Sequence, residues 1–403
     1  MKNDSLLDRL SDHSEWEAFY EYKNSLACPK RFARELRAFI DAREYLPVCA
    51  EISAGGDFPL PKKAVISKMS TAKKRVVYTY PRPENTVLKL LTHLLIRKYD
   101  CVFPDNLYSF RVGRTAKDAI RRITRVNGIR RMYSYKVDIH DYFNSVPAET
   151  LLPMLADVIG EDGRLYSFLA SLLLEKRVLE KWAPVEERKG IMAGTPLSAF
   201  YANLFLSELD RRFAERGAVY ARYSDDIIVF APTREECEAY AAEIREFLRR
   251  RSLEVNPAKE RFSAPEEGFV FLGFSVMGDK IDIAPATVAK LKGKMRRKRD
   301  ALRRWSDRSG AGGERAAAAF IRVFNRKLLD GADDGELTWS RWFFSVINTD
   351  GSLREIDSYA QDCIRYLVSG RHTKARFGVR YSDMKALGYR SLLHEYYAFA
   401  DEK

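Results

Sequence analysis

The sequence predicts an α+β fold with a helical C-terminal part, and three observations carry that expectation. From about Ser109 to Phe274, short β-branched and aromatic runs alternate with amphipathic helical patterns. After Pro285 the chain reads as helix almost throughout, which marks a domain boundary. Between them, Tyr223-Ser224-Asp225-Asp226 interrupts two strand-like flanks, Val219 to Arg222 and Ile227 to Phe230, and predicts a hairpin with adjacent acids at its tip.

The elements follow in chain order. Leu6 to Ala50 reads as charged amphipathic helices with Trp16, Phe19 and Tyr20 interleaved, ended by the Gly- and Pro-containing break from Gly55 to Pro61. A basic stretch, Lys62-Lys63 through Lys73-Lys74-Arg75, enters a strand-like run from Val76 to Tyr80, which Pro81 and Pro83 close. A helix over Asn85 to Tyr99 follows, then the basic turn Phe110-Arg111-Val112-Gly113-Arg114 and a helix over Ala116 to Val126. Met132 to Asp138 is strand-like and ends in an acid; helices fill Ala148 to Arg177; Gly190 to Gly194 is a loop. Thr195 as cap and Pro196 as first helical residue predict one strong helix reaching Arg216. Helix over Thr233 to Arg251 and strands near Leu253 to Val255 and Phe269 to Phe274 complete this part. There is no internal repeat and no low complexity.

Size and composition narrow the function. A chain of 403 residues with 46% hydrophobic content supports two or three packed units. No apolar run is long enough to span a bilayer, and the N-terminus enters a charged helical pattern rather than a signal peptide, so a cytoplasmic location is expected. Five scattered cysteines and five dispersed histidines give no disulfide framework and no His/Cys metal site, so an essential metal should be bound by oxygen. The net charge of +13 points to a polyanionic partner. Its distribution supports this: Lys290, Lys292, Lys294, Arg296, Arg297, Lys298, Arg299, Arg303 and Arg304 face Asp300 alone, as in a helix that contacts phosphates. Ser306 to Gly313 reads as a flexible joint after it, and Trp339, Trp342, Phe343, Phe344, Tyr359 and Tyr366 supply the apolar mass of a helical core.

The chemistry rests on carboxylates. Adjacent acids at a hairpin tip repel each other unless a cation lies close, an arrangement suited to divalent metal and phosphoryl transfer. Ser and Asp are also ordinary turn formers. Tyr381-Ser382-Asp383-Met384 shows that case, with no second acid, and reads as a surface turn or helix cap. Asp138, at a strand terminus, is the third acid, and Asp138 with Asp225 and Asp226 would hold two divalent ions.

The order of these pieces resembles bacterial reverse transcriptases related to group II intron and retron enzymes. Asp138-Ile139-His140-Asp141-Tyr142-Phe143-Asn144-Ser145-Val146 resembles the family's first catalytic-aspartate motif, and Tyr223 to Asp226 its Tyr-x-Asp-Asp box. Gly190 through Asn203-Leu204, Leu253 through Lys259, Phe271-Leu272-Gly273-Phe274 and Ser109 through Arg114 resemble further motifs, together covering roughly residues 60 to 275. The resemblance implies a right-hand polymerase: an N-terminal helical extension (1–60), fingers (61–130), palm with interleaved fingers segments (131–284) and a basic helical thumb (285–403). It implies catalysis by Asp138, Asp225 and Asp226, and two Mg²⁺ ions, replaceable by Mn²⁺, at Asp138, Ile139, Asp225 and Asp226. Nucleotide contacts are implied for Lys74, Arg75, Arg111, Phe143, Gly194 and Lys259, with Phe143 excluding a 2′-hydroxyl. Nucleic-acid contacts are implied for Tyr223, Lys290, Lys294, Arg297 and Arg304. Many relatives carry glutamine where Ala193 stands, so fidelity, processivity and template choice do not carry over.

The expected activity is RNA-directed DNA synthesis from dNTPs on a structured non-coding RNA, yielding cDNA, without membrane association. The chain most resembles the solitary reverse transcriptases of antiphage defence, the abortive-infection and unknown-group lineages. A template-independent or protein-primed DNA polymerase on the same palm, and a non-catalytic RNA-binding scaffold, are the alternatives. Template identity, primer and oligomeric state stay open.

Overall fold

The computed structural model describes residues 5–26, 28–67, 74–187, 189–330 and 338–401; of Ser67 and Lys74 it describes the backbone alone. The chain divides into two compact units, one formed by Met1–Ser25 and Arg31–Glu267, the other by Leu26–Lys30 and Gly268–Lys403.

In the first unit, β1 (Lys62–Ser67), β2 (Lys74–Thr79), β3 (Tyr133–Asp138), β4 (Arg177–Glu180), β5 (Ala183–Glu186), β6 (Val219–Tyr223), β7 (Asp226–Ala231) and β8 (Arg261–Ser263) form two sheets. One runs β6-β7-β3-β8 and is antiparallel throughout; the other runs β2-β1-β4-β5, with a single parallel pairing between β1 and β4. Ile227 through Ala231 are all buried, as befits a central strand covered on both faces. The helix Arg234–Arg250 covers one face through Cys237, Ala241, Ile244 and Leu248, at helical spacing.

Two expectations are corrected here. The single helix expected to reach Arg216 is two, Ser198–Phe205 and Ser207–Glu215, because Leu206 leaves helical geometry at φ −106°, ψ 5°. Pro196 is not its first residue: Thr195 turns back, its amide and hydroxyl both donating to the Met192 carbonyl, so the helix starts at Ser198. The helices expected from Ala148 are two, Ala148–Ile159 and Gly163–Leu174; Asp162 caps the second through the Leu165 amide at 3.1 Å, and β4 begins at Arg177.

The second unit holds a three-stranded antiparallel sheet, β9 (Phe269–Phe271), β10 (Phe274–Met277) and β11 (Lys280–Ile283), ordered β11-β10-β9. The helices Pro285–Ser309, Gly313–Asn325 and Gly351–Ser369 pack on one another, and Phe343 and Phe344 are buried. The expected joint from Ser306 to Gly313 is a tight turn instead: Ser306 lies inside the first helix, its hydroxyl donates to the Gly312 carbonyl at 3.0 Å, and Gly310 and Gly312 take left-handed backbone. Tyr381–Ala386 is a short helix whose Asp383 accepts from the Arg380 amide at 2.7 Å, so the second Tyr-Ser-Asp is a cap. Among the described residues no helix is long and apolar enough to cross a membrane.

Candidate active site

The pairing of β6 with β7 sets Tyr223 opposite Asp226, which leaves Ser224-Asp225 as a two-residue turn. Ser224 sits in the left-handed region at φ 62°, a conformation a serine holds only when its surroundings fix it. Those surroundings come from distant segments. The Ser224 amide donates to the Ser109 hydroxyl at 2.9 Å, Ser109 donates to Asn203 Oδ1 at 3.0 Å, and Asn203 Nδ2 returns to the Ser109 carbonyl at 2.8 Å. From the strand side, Arg222 Nη1 donates to the Ser224 carbonyl at 3.1 Å. Arg222 is fully buried and paired with the equally buried Asp210 at 2.6 Å. Sequence reasoning missed this pair; an arginine amid the apolar alternation of β6 was the available signal.

Strand register brings the acids together. Asp138 on β3 lies opposite Asp226 on β7, and the Ile139 amide donates to the Asp225 carbonyl at 3.2 Å. Directly opposed residues of an antiparallel pair share a face, so the two carboxylates leave the sheet on the same side. Asp138 is buried, and Lys259 Nζ lies 2.5 Å from its Oδ2 while Asn256 Nδ2 reaches Oδ1 at 3.3 Å. Lys136 Nζ stands 3.3 Å from Asp226 Oδ1.

The electrostatics follow. Burial, and then the neighbouring Asp138 charge, push the Asp225 carboxyl above the usual carboxylate range. Asp226 is also raised, by burial foremost, with Lys136 pulling against it and Asp138 adding to it. Burial pulls Lys259 down, but its bond to Asp138 and the acids around it leave it above the ordinary lysine value. This is a site where negative charge is crowded and short of compensation. Among the described residues no group of three or more His, Cys, Asp or Glu side chains is arranged to hold an ion by itself. A few carboxylate oxygens without a full cage fit a hard divalent cation that completes its shell with substrate phosphates and water.

Phe143 is half-buried, with the Arg75 guanidinium 6.0 Å from its ring centre and Phe110 edge-on at 6.4 Å. The Phe143 carbonyl accepts from the Ile191 amide at 2.8 Å, and a Cβ on Gly190 would lie 2.4 Å from that carbonyl oxygen. Gly194, at φ +100°, brings its loop against β2, where a Cβ would meet Val77 Cβ at 3.3 Å. Arg75 and Val77 of β2 thus adjoin Phe143 and Gly194, and Gly190 packs on the backbone of Phe143. The side chain of Lys74 lies outside the described residues. Lys259 sits on Asp138 and Tyr223 is half-buried.

Arg111 has a different place from the one expected of it. All five of its N–H donors are engaged, by the Asp100 carboxylate and carbonyl and by the Pro104 and Leu107 carbonyls, so none is left for a nucleotide. Its work is to hold the loop before it.

In the second unit, Lys290, Lys294, Arg297 and Arg304 are exposed on the helix Pro285–Ser309 and, among the described residues, have no ion-pair partner. Lys292 is paired with Glu355, Arg299 with Asp300 and Arg303 with Asp307.

A sheet that presents carboxylates from two adjoining strands, flanked by helices and followed by a basic helical unit, defines the right-hand polymerase class. The family model described as reverse transcriptase (RNA-dependent DNA polymerase) matches residues 60–276, more than half of the 403, and the chain belongs to that family. Among solved structures it is similar to apo telomerase from Candida tropicalis at 12% identity and TM-score 0.50, covering 87% of this chain and 66% of that one. It also matches telomerase from Candida albicans in complex with a TWJ fragment of telomeric RNA, at 11% identity and TM-score 0.44, over 82% of this chain and 65% of that one. A Candida tropicalis telomerase truncated from its C-terminal domain matches at 11% identity and TM-score 0.43, over 58% of each chain. The chain thus spans less than two thirds of the length of these three telomerase chains. At such identities the likeness is one of fold. No curated protein matches the chain.

Proposed function

We propose that the protein copies a partner non-coding RNA into DNA by two-metal nucleotidyl transfer, and that it serves bacterial antiphage defence. The observation that supports the chemistry best is the register that sets Asp138 opposite Asp226, with Asp225 in the adjoining turn. A binding scaffold gains nothing from crowding acids beside RNA. Asp138, Asp225, Asp226 and Ile139 would hold two magnesium ions, which when bound lower the pKa of a primer hydroxyl and neutralise the triphosphate.

The remaining roles belong to the chain's own groups. Arg75 meets the triphosphate, and Phe143 places its ring where a 2′-hydroxyl would otherwise sit. Lys259, kept protonated by its acidic neighbours, steadies Asp138 and can offer a proton toward the leaving pyrophosphate. The exposed unpaired cations Lys290, Lys294, Arg297 and Arg304 contact nucleic-acid phosphates. The defence role rests on the resemblance to solitary defence reverse transcriptases.

The test is purification with bound nucleic acid, sequencing of the RNA, and incorporation of dNTPs against rNTPs with Mg²⁺. Asp225→Asn with Asp226→Asn is expected to abolish synthesis and to leave RNA binding intact. Unchanged incorporation by that variant would reject the assignment. Phage plating on cells that carry the gene, with and without the same two substitutions, tests the defence role: equal plaque counts would remove it.

A further inference from the structure

Trp182 is 80% exposed, the most exposed large apolar side chain among the described residues. It stands at the tip of the β4–β5 hairpin, where Lys181 and Trp182 both take left-handed backbone, at φ 49° and 72°. Two successive left-handed residues are what a two-residue hairpin turn requires; Asn and Gly usually supply them, and here a lysine and a tryptophan do. The ring is not bare: Lys62 Nζ lies over it at 4.1 Å.

The strand register shows where this ring leads. Lys62 pairs with Thr79 across β1 and β2, Ala64 with Val77 and Ile66 with Arg75, so Lys62, Ala64, Ile66, Arg75 and Val77 share one sheet face. Lys62 also pairs with Leu179 on β4, which carries that face across to the hairpin. At its other end the face reaches the candidate nucleotide site, where Arg75 approaches Phe143 and Val77 lies against Gly194. Ile66 is 49% exposed on it. Of the acids of this sheet, Glu180 and Glu187 attend Lys63, which points to the opposite face, while Glu186 lies opposite Arg177, whose guanidinium is held by Glu175. A strip therefore runs from the nucleotide site to Trp182, with Arg75 near one end, Lys62 near the other, apolar ground between them and an open ring at the far end.

We propose that this strip is the path of the unpaired template strand and that Trp182 stacks on a base not yet copied, with Lys62 meeting the adjoining phosphate. A single strand needs both elements, since bases offer flat faces and phosphates offer charge. A protein partner would have to supply acids to Lys62 and Arg75 and a flat group to Trp182, which a single strand supplies together. This inference rests on the templated polymerase proposed above and makes Trp182 a positioning residue of that reaction.

The experiment measures binding of the full-length protein to primer–template duplexes that are blunt or carry an unpaired 5′ extension, of RNA or of DNA, by fluorescence anisotropy. Trp182→Ala is expected to weaken binding of the extended duplexes about tenfold and to leave the blunt duplex unchanged, because loss of one stack removes one base contact. Trp182→Phe should recover most of the loss. RNA and DNA extensions should respond alike, since stacking does not read the sugar. Equal losses on blunt and extended duplexes, or no loss on either, overturn the proposal. The polymerase reading is separated by its own readout: if the wild-type protein incorporates no nucleotide while Trp182→Ala still weakens the extended duplexes and spares the blunt one, the polymerase falls and the single-strand site remains.

Discussion

Arg222 and Asp210 form an ion pair with neither side chain exposed to solvent, Nη2 to Oδ2 at 2.6 Å, and the same guanidinium holds the Ser224 carbonyl in the turn that carries Asp225. Asp210 also accepts from the Tyr220 hydroxyl at 2.9 Å, and Arg222 donates to the Asn203 carbonyl at 3.0 Å. The lone pairs and donors left over by the pair are therefore met, which is the condition under which a buried pair is tolerated.

Removal of one partner strands the other. Arg222→Met is expected to cost ~3–5 kcal/mol of unfolding free energy, because an uncompensated carboxylate stays in the interior. The double variant Arg222→Met with Asp210→Leu should recover a large part of that loss. Urea unfolding of the two variants checks this; a double variant as unstable as the single one would mean that the pair is not the source of the cost.

Lys189 gives the pH dependence. It is 4% exposed, its Nζ has no hydrogen-bond partner among the described residues, and burial pushes its pKa down to about 8 against a weaker upward pull from Glu175. An unfolded lysine takes its proton near 10.5, so stability falls as pH drops from there toward 8, and below 8 the penalty is constant. Lys189→Met is expected to stabilise the protein at pH 7 by on the order of 3 kcal/mol, with a smaller gain at pH 9.5. Denaturation midpoints at the two pH values measure this, and a pH-independent gap would contradict it.

Phe143 carries the prediction on sugar choice. Its ring is held by Arg75 on one side and Phe110 on another. Phe143→Ala should raise ribonucleotide use relative to deoxynucleotide use by about tenfold or more, equivalent to ~1.4 kcal/mol of lost discrimination. Single-nucleotide incorporation with each substrate decides it, and an unaltered preference would remove the gate.

The acid-bearing hairpin was legible because its flanks are long, β-branched and apolar, and because Asp138 closes a strand of the same character. Asp138 could be placed beside the hairpin only through the order of the motifs, since the register of β3 on β7 is a long-range pairing that local pattern does not contain. The β4–β5 hairpin was invisible for a physical reason. Its strands are four residues each, Val178 is the one fully buried side chain among them, and its turn uses Lys181-Trp182 where Asn or Gly would have signalled it. Arg111 shows the converse case: the motif resemblance implied a nucleotide contact, while the Asp100 carboxylate and three carbonyls, reachable only through the fold of the loop, take all its donors. Lys189 falls between the helices expected up to Arg177 and the loop expected from Gly190, and nothing in its neighbours foretells its burial.

Gly190 leaves the backbone of Phe143 no slack, since any side chain there would collide with the main chain that carries the ring. With Phe143 as the proposed gate, tolerance for bulkier sugars is not gained by easing the ring backwards. It has to come from trimming the ring itself, so laboratory evolution toward modified nucleotides should accumulate changes at residue 143 and leave residue 190 untouched.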